Sequence, residues 1–395
     1  MAAPRAHVRN RPTLESLAAM NTTDLQQLRI AGDTDIHPED LWSEPESTIY
    51  NSLCAKQHLY IATGFIDPEV MGIYQLLHPY IVSNRQPGAK PKSSWLDMLT
   101  CYLTWFKLGQ DYQVLSCVLE NISPSRIEDN INRIRPLLRS ALSDKWLRTP
   151  GRPIPLRGTA FPHVALLIDS HTTECFRPKA TFEEAKIYWD GKNHIYGLKT
   201  EIAVMATEPH YCIFIGKHSP GSVHDFEIMK SDYHCYLDYL LKLPNENVSL
   251  PTDQHSCFWA VLVDLGYIGP EAATPDLRHL YPIKDPRNQA EENYNQILGR
   301  YRVPVECFFG RLVTSSGILR GVYRWSHKHF DDDFTIGCCL VNERLLNAAL
   351  NAEDQHPYKG LLMQWITLAE EKSRKRKIQQ DSYQEQKCLR LSGRA

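Results

Sequence analysis

The feature that most constrains this chain is a change of periodicity at about Phe161. Before it, WLDMLTCYLTWFKLG, DYQVLSCVLE and SRIEDNINRIRPLLRSALSDKW space their apolar residues at helical intervals. After it come HVALLID, YGLKTEIAVMAT, HYCIFIGKH and CFWAVLVD, short apolar, β-branched and aromatic runs bounded by Gly, Pro, Asp or Ser, as strands are. Helical spacing returns in VHDFEIMKSDYHCYLDYLLKL, between the third and fourth runs, and beyond a Pro-rich stretch in RVPVECFFGRLV and FTIGCCLVNERLLNAALN. Three strands, a helix, a strand and further helices predict an α/β domain with helices packed on a mixed sheet.

Four regions follow from this pattern. Residues 1–85 are a variable, partly helical N-terminal region with a short helical candidate at Thr23–Ile30, and Ser83 to Ser94 (SNRQPGAKPKSS) reads as a linker. Residues 86–160 form a helical domain. Its three helices, with a short turn before the third, suggest a helix-turn-helix, and a plain bundle packed on the next domain is the alternative. Ser125, with Glu128 three positions on, fits a capping box. Residues 161–350 are the α/β domain. Residues 351–395 are a helical, charged tail in which Lys372-Ser373-Arg374-Lys375-Arg376-Lys377 is a dense basic cluster. Such a run reads as a solvated, disordered tail, or as a nuclear-import or nucleic-acid-touching segment.

Composition narrows the class. The 395 residues include 44 Lys+Arg against 46 Asp+Glu, so net charge gives no polyanion signal and any nucleic-acid contact must come from local patches. The 11 cysteines include no C-x-x-C pair and several lie in apolar runs, which fits reduced thiols inside a cell. No apolar signal core opens the chain and no window approaches a bilayer span, so a soluble protein without a membrane partner is expected. Zinc-ligand spacing, a Walker loop, a dinucleotide fingerprint and a G-x-S-x-G elbow are all missing from the sequence.

Acidic residues carry the candidate chemistry. Asp169 closes the run HVALLID and Asp264 closes CFWAVLVD. Ligands of open α/β sheets bind outside strand carboxyl ends, so two acids leaving such ends can converge on one crevice, although Asp is also a common turn residue. Glu306 lies between Val305 and the pair Phe308 and Phe309, where an acid is costly to bury unless it is paired or ligates a cation. Its alternative is an exposed helical position paired with Arg302 or Arg311. Pro304 predicts a helix start that places Glu306 in the first turn. His224 and Asp225 open the helix after the third strand, where Asp225 suits a helix cap. Lys192, Lys199 and Lys217 lie near strand ends, and with Arg302 and Arg311 they are candidates to meet DNA phosphates.

LLIDSHTTE, YWDGKNHIYGLKTEIAV, SPGSVHDFEIM, VLVDLGYIG and RYRVPVECFFGRL occur in this order. Together they resemble the DDE-type endonuclease domain of PIF/Harbinger-like transposases over roughly Pro162 to Asn347. The most specific parts are Gly221-Ser222-Val223-His224-Asp225, Asp264-Leu265-Gly266-Tyr267, and Val305-Glu306 with Phe309-Gly310-Arg311-Leu312. Trp95 to Leu142 likewise resembles the helix-turn-helix that precedes this domain. Ser170-His171 departs from the small pair that often follows the first acid.

The resemblance implies an RNase H-like fold and a catalytic triad of Asp169, Asp264 and Glu306 holding two divalent cations, Mg²⁺ or Mn²⁺, with His224 and Asp225 near the acids as an auxiliary pair. It implies an endonuclease and strand-transferase acting in the nucleus on double-stranded DNA at transposon terminal repeats. A host protein descended from such an enzyme, binding DNA or protein without cutting, is the alternative. A metal-dependent phosphohydrolase unrelated to transposition is a third. A separate Myb-like protein and a homo-oligomer are the expected partners.

Overall fold

A computed structural model describes residues 45–84, 91–119, 122–148, 153–156, 159–246, 257–269 and 273–392. The helical candidate at Thr23–Ile30 and residues 85–90 of the linker lie outside them. The described residues within 46–89 and 93–395 form one compact unit; of the other, residues 1–45 and 90–92, only Pro45, Pro91 and Lys92 are described.

Among the described residues six helices come first: α1 (Thr48–Ala55), α2 (Leu59–Thr63), α3 (Asp67–Ser83), α4 (Trp95–Leu108), α5 (Tyr112–Val118) and α6 (Pro124–Ser143). Ser94 caps α4 by accepting from the Asp97 amide, and Gly109 ends it at φ 64. A Cβ on Gly109 would fall 2.5 Å from the backbone of Gly317, so a close crossing adds to the conformational demand for glycine. The capping box expected on Ser125 is not made. Pro124 takes the first helical position, where its missing N–H costs nothing, and the cap moves to Ser123, which accepts from the Arg126 amide.

The sheet has seven strands: β1 (Val164–Glu174), β2 (Trp189–Asp190), β3 (Ile195–Met205), β4 (Cys212–Ile215), β5 (Ser219–Pro220), β6 (Ala260–Leu262) and β7 (His279–Leu280). Its order is β2-β3-β1-β6-β7, with β4 and β5 also paired to β3. β1 and β3 are antiparallel, whereas β1–β6 and β6–β7 are parallel. This is the mixed, helix-flanked sheet of an RNase H-like domain. β1 does not close at Asp169 but continues five residues to Glu174. Thr172 and Thr173 suit a strand, and β3 supplies partners all the way to Gly197 opposite Glu174.

Helices cover both faces; the short α7 (Phe182–Lys186) and α11 (Gly317–Arg320) complete the order. Leu166, Ile168 and Ala203 pack with Phe226 and Met229 of α8 (Asp225–Ser231) and Tyr233, Tyr236 and Leu240 of α9 (Tyr233–Leu240). Leu167, Leu198 and Ile202 belong to a larger cluster with α4, α6, α10 (Gln289–Ser315) and α12 (Phe330–Leu345). That cluster runs unbroken from Ile49 to Tyr358, so the early helices and the sheet share one core. At its centre Asp333 of α12 accepts from Arg135 Nε of α6 (2.7 Å), Tyr102 Oη of α4 (2.9 Å) and Tyr323 Oη (2.8 Å).

α10 corrects a second expectation. Asn288 caps it and it runs through Pro304, so Glu306 sits deep in the helix and not in a first turn. Proline removes one hydrogen bond and crowds the preceding turn. The fully buried face Val305, Phe308, Phe309 and Leu312, worth roughly 1.5–3 kcal/mol per side chain, outweighs that cost. The basic tail is likewise ordered, forming α13 (Gln355–Ser392).

Candidate active site

Two neighbouring parallel strands set the site. Leu167 of β1 pairs with Leu262 of β6, so two residues further along each chain Asp169 and Asp264 stand side by side. Asp169 remains inside β1; Asp264 lies beyond β6 and accepts from the Leu265 amide at 2.7 Å. Glu306 arrives from α10. All three acids line one cleft with Ser170, Thr172, Asp190, Lys192, Asn193, Lys199, Asp225, Arg302, Tyr358, Lys359 and Leu362.

Each acid faces one of the chain's own cations. Arg302, one helical turn before Glu306, places Nη2 3.1 Å from Asp169 Oδ2 and Nη1 3.3 Å from Asp264 Oδ1. Lys192 Nζ stands 3.9 Å from Asp264 Oδ2. Lys359 of α13 brings Nζ to 3.1 Å from Glu306 Oε2 without the alignment of a hydrogen bond. Burial pushes the Asp169 carboxyl up to about 6, against the pull of Arg302 and with the help of Asp264 repulsion. A carboxylate so disfavoured gains from a closer cation.

A second shelf of polar contacts holds Asp225 and Asp190 in the same cleft. Ser170 Oγ donates to Asp225 Oδ1 at 2.7 Å, and Lys199 Nζ lies 3.2 Å from the same oxygen while donating to the Val223 carbonyl at 2.9 Å. A Cβ on Gly266 would meet Asp225 Oδ2 at 2.6 Å, which explains glycine in Asp264-Leu265-Gly266-Tyr267. Asp190 accepts from Thr172 Oγ1 and Asn193 Nδ2, both at 2.8 Å, and from the amides of Lys192 and Asn193.

The cleft thus gathers Asp169, Asp264, Glu306, Asp225, Lys192, Lys199 and Arg302, and leaves three expected residues outside. Lys217 is exposed elsewhere. His224 caps α8, accepting from the Phe226 amide at 3.4 Å, so the alternative role of Asp225 as the cap falls to its neighbour. Arg311 turns its guanidinium to the carbonyls of Ala348 and Ala349 and to Asp354 (2.6 Å). A Cβ on Gly310 would fall 1.5 Å from the Asp354 carbonyl oxygen. Gly310 and Arg311, read from sequence as part of a catalytic motif, therefore dock α13 on α10. That docking brings Tyr358, Lys359 and Leu362 to the cleft. No local signal in the sequence marks these three.

Residues 168–342 match the family model described as DDE superfamily endonuclease. These residues form a DDE transposase-like domain. No curated protein and no solved structure matches the chain. The match supports a transposase-like nuclease at the level of the family, and that superfamily generally uses divalent metals. The matched span holds every acid of the cleft and stops short of α13.

The donor set of the DDE domain suits such an ion. It is made of carboxylate oxygens, which hard cations prefer, and the disfavoured charge on Asp169 is what a bound cation relieves. Among the described residues no three His, Cys, Asp or Glu side chains stand close enough to hold a metal as they are placed. The position between Asp169 and Asp264 is taken by Arg302. Nor is any helix among the described residues long and apolar enough to cross a membrane.

Proposed function

We propose that this chain is a PIF/Harbinger-like transposase that hydrolyses DNA phosphodiester bonds at transposon ends in the nucleus and transfers the cut strand. The observation that supports this most is the meeting of Asp169, Asp264 and Glu306, from three separate stretches of sequence, in one cleft rimmed with cations. In this reading the three acids hold two Mg²⁺ or Mn²⁺ ions. Ions held by these acids would supply activation of a water or 3′-hydroxyl and stabilisation of the leaving oxygen in an in-line displacement at phosphorus.

The chain's own groups do the rest. Arg302, released from Asp169 and Asp264, faces a phosphate with a guanidinium fork suited to it. Lys192, with an exposed side chain, gives a second phosphate contact. Lys199 and Ser170 hold Asp225 still, keeping the floor beside Asp169 from shifting. Tyr358 and Leu362 form the apolar wall that limits water. A Myb-like partner and self-association complete the proposal, since end recognition needs more than these contacts.

A second reading is favoured by one observation: Arg302, Lys192 and Lys359 already stand beside the three acids, so three cations face the three carboxylates without metal. A host-adapted protein that binds DNA or a partner without cutting needs no more. The two readings separate when labelled duplex bearing candidate terminal repeats is incubated with Mg²⁺ or Mn²⁺ and either the native chain or Asp264→Ala. The transposase reading expects nicking that falls by at least roughly a thousandfold in the variant, about 4 kcal/mol of transition-state stabilisation. Equal nicking by both removes Asp264 from the mechanism, and nicking by neither selects the binding-only reading.

A further inference from the structure

α13 begins as part of the body and ends outside it. Tyr358 and Trp365 are buried, at 9% and 6% exposure, and Gly310 and Arg311 lock its start onto α10. From Glu370 to Gln384 every residue is exposed, on all sides of the helix. A helix with no buried face is either held by something outside the chain or poorly supported. The exposed length carries Lys372, Arg374, Lys375, Arg376 and Lys377, with Glu370, Glu371 and Asp381 around them. The cluster follows Lys359, at the cleft, by roughly 20–27 Å along the axis at about 1.5 Å per residue. That span corresponds to about six to eight base-pair steps of duplex at about 3.4 Å each.

We infer that the exposed half of α13 is a duplex-binding arm, whose basic cluster grips the phosphate backbone of the DNA that flanks the bond lying in the cleft. This rests on the reading of the cleft as a DNA site. Charge favours DNA over other occupants: five cations within six residues match a polyanion. The apolar residues of the same stretch, Ile378 and Tyr383, are too sparse to form the repeating seam that a second copy would need. Because the helix is continuous from Lys359 to the cluster, the arm sets a distance as well as an affinity.

The test uses the full chain, EDTA and a fluorescein-labelled duplex of about 30 base pairs, with binding followed by anisotropy across a salt series. The variant K372A/R374A/K375A/R376A/K377A should bind roughly 10- to 100-fold more weakly, with a salt slope shallower by about 3–4. Its melting temperature should stay within a few degrees of that of the native chain, since the five side chains are exposed and loss of the Lys372 charge near Glu174 costs little. A second variant, Leu368→Pro, interrupts the helix before the cluster and keeps all five charges. It should weaken binding less than the alanine variant while leaving the salt slope steep. Unchanged affinity and slope in the alanine variant overturn the arm. Unchanged affinity with loss of nuclear accumulation assigns the cluster to import instead, and unchanged affinity with a changed sedimentation coefficient assigns it to self-association. Failure of the nuclease reading is read separately: cluster-dependent binding without cutting in Mg²⁺ keeps the arm and removes the enzyme, whereas cutting with cluster-independent binding does the reverse.

Discussion

Two arginine–aspartate clusters in this protein are built from the same chemical parts and behave oppositely. Around Asp333 the carboxylate is wholly buried and accepts from Arg135, Tyr102 and Tyr323, so its lone pairs are well used. Around Arg302 a single guanidinium is shared between Asp169 and Asp264, its Nε is buried without a hydrogen-bond partner, and side-chain exposures run from 14% to 32%. The first arrangement is closed and joins the early helices to α12. The second is open and leaves its charges short of partners, the pattern expected where a ligand is still to come.

The largest effect expected from breaking this contrast lies at the closed cluster. Asp333→Ala strands Arg135 in the core and should cost about 3–5 kcal/mol, seen in urea unfolding as a lower midpoint at unchanged slope. A wild-type midpoint would mean that the cluster holds nothing together.

Acid titration probes the floor of the open cluster. His171 is fully buried among Phe309, Phe334 and Tyr358, neither ring nitrogen has a hydrogen-bond partner, and burial lowers its pKa to about 4. The folded state therefore binds fewer protons than the unfolded one between about 4 and 6.5, and stability present above that window is lost as pH falls through it, by up to about 3 kcal/mol. Asp169 works the other way. With its pKa raised to about 6, the folded state binds more protons, and stability is lost as pH rises from about 4 to 6, by about 1–2 kcal/mol because its carboxyl keeps some contact with water. His171→Phe should leave only the second dependence and Asp169→Asn only the first. Melting temperatures measured from pH 4 to 7 with unchanged slopes in both variants would refute the assignment.

Arg302→Gln sharpens the comparison with a metal. Loss of the shared cation should destabilise the metal-free chain by about 1–2 kcal/mol, and Mg²⁺ should recover more melting temperature in the variant than in the native chain. Equal recovery in both would mean that the ion and Arg302 do not compete. The smallest effect is expected of Lys359→Met, which removes a half-exposed partner of Glu306. It should shift stability by less than about 1 kcal/mol while tightening Mn²⁺ binding measured by calorimetry.

The alternation and length of the apolar runs determined, without any coordinates, that this is an α/β protein with a mixed sheet. They also brought Asp169, Asp264 and Glu306 forward, because acids at strand ends and an acid between large apolar residues each need an explanation. Local pattern failed where distant partners outvoted it. β3 carried β1 past Asp169, the buried face of α10 carried that helix through Pro304, and Gly310 and Arg311 served the docking of α13. Which cation faces which acid, and that a residue as remote in sequence as Lys359 walls the cleft, belong to the tertiary structure alone. Periodicity encodes which face of a segment is buried, whereas partners across the core are chosen by packing and charge between stretches that share no local signal.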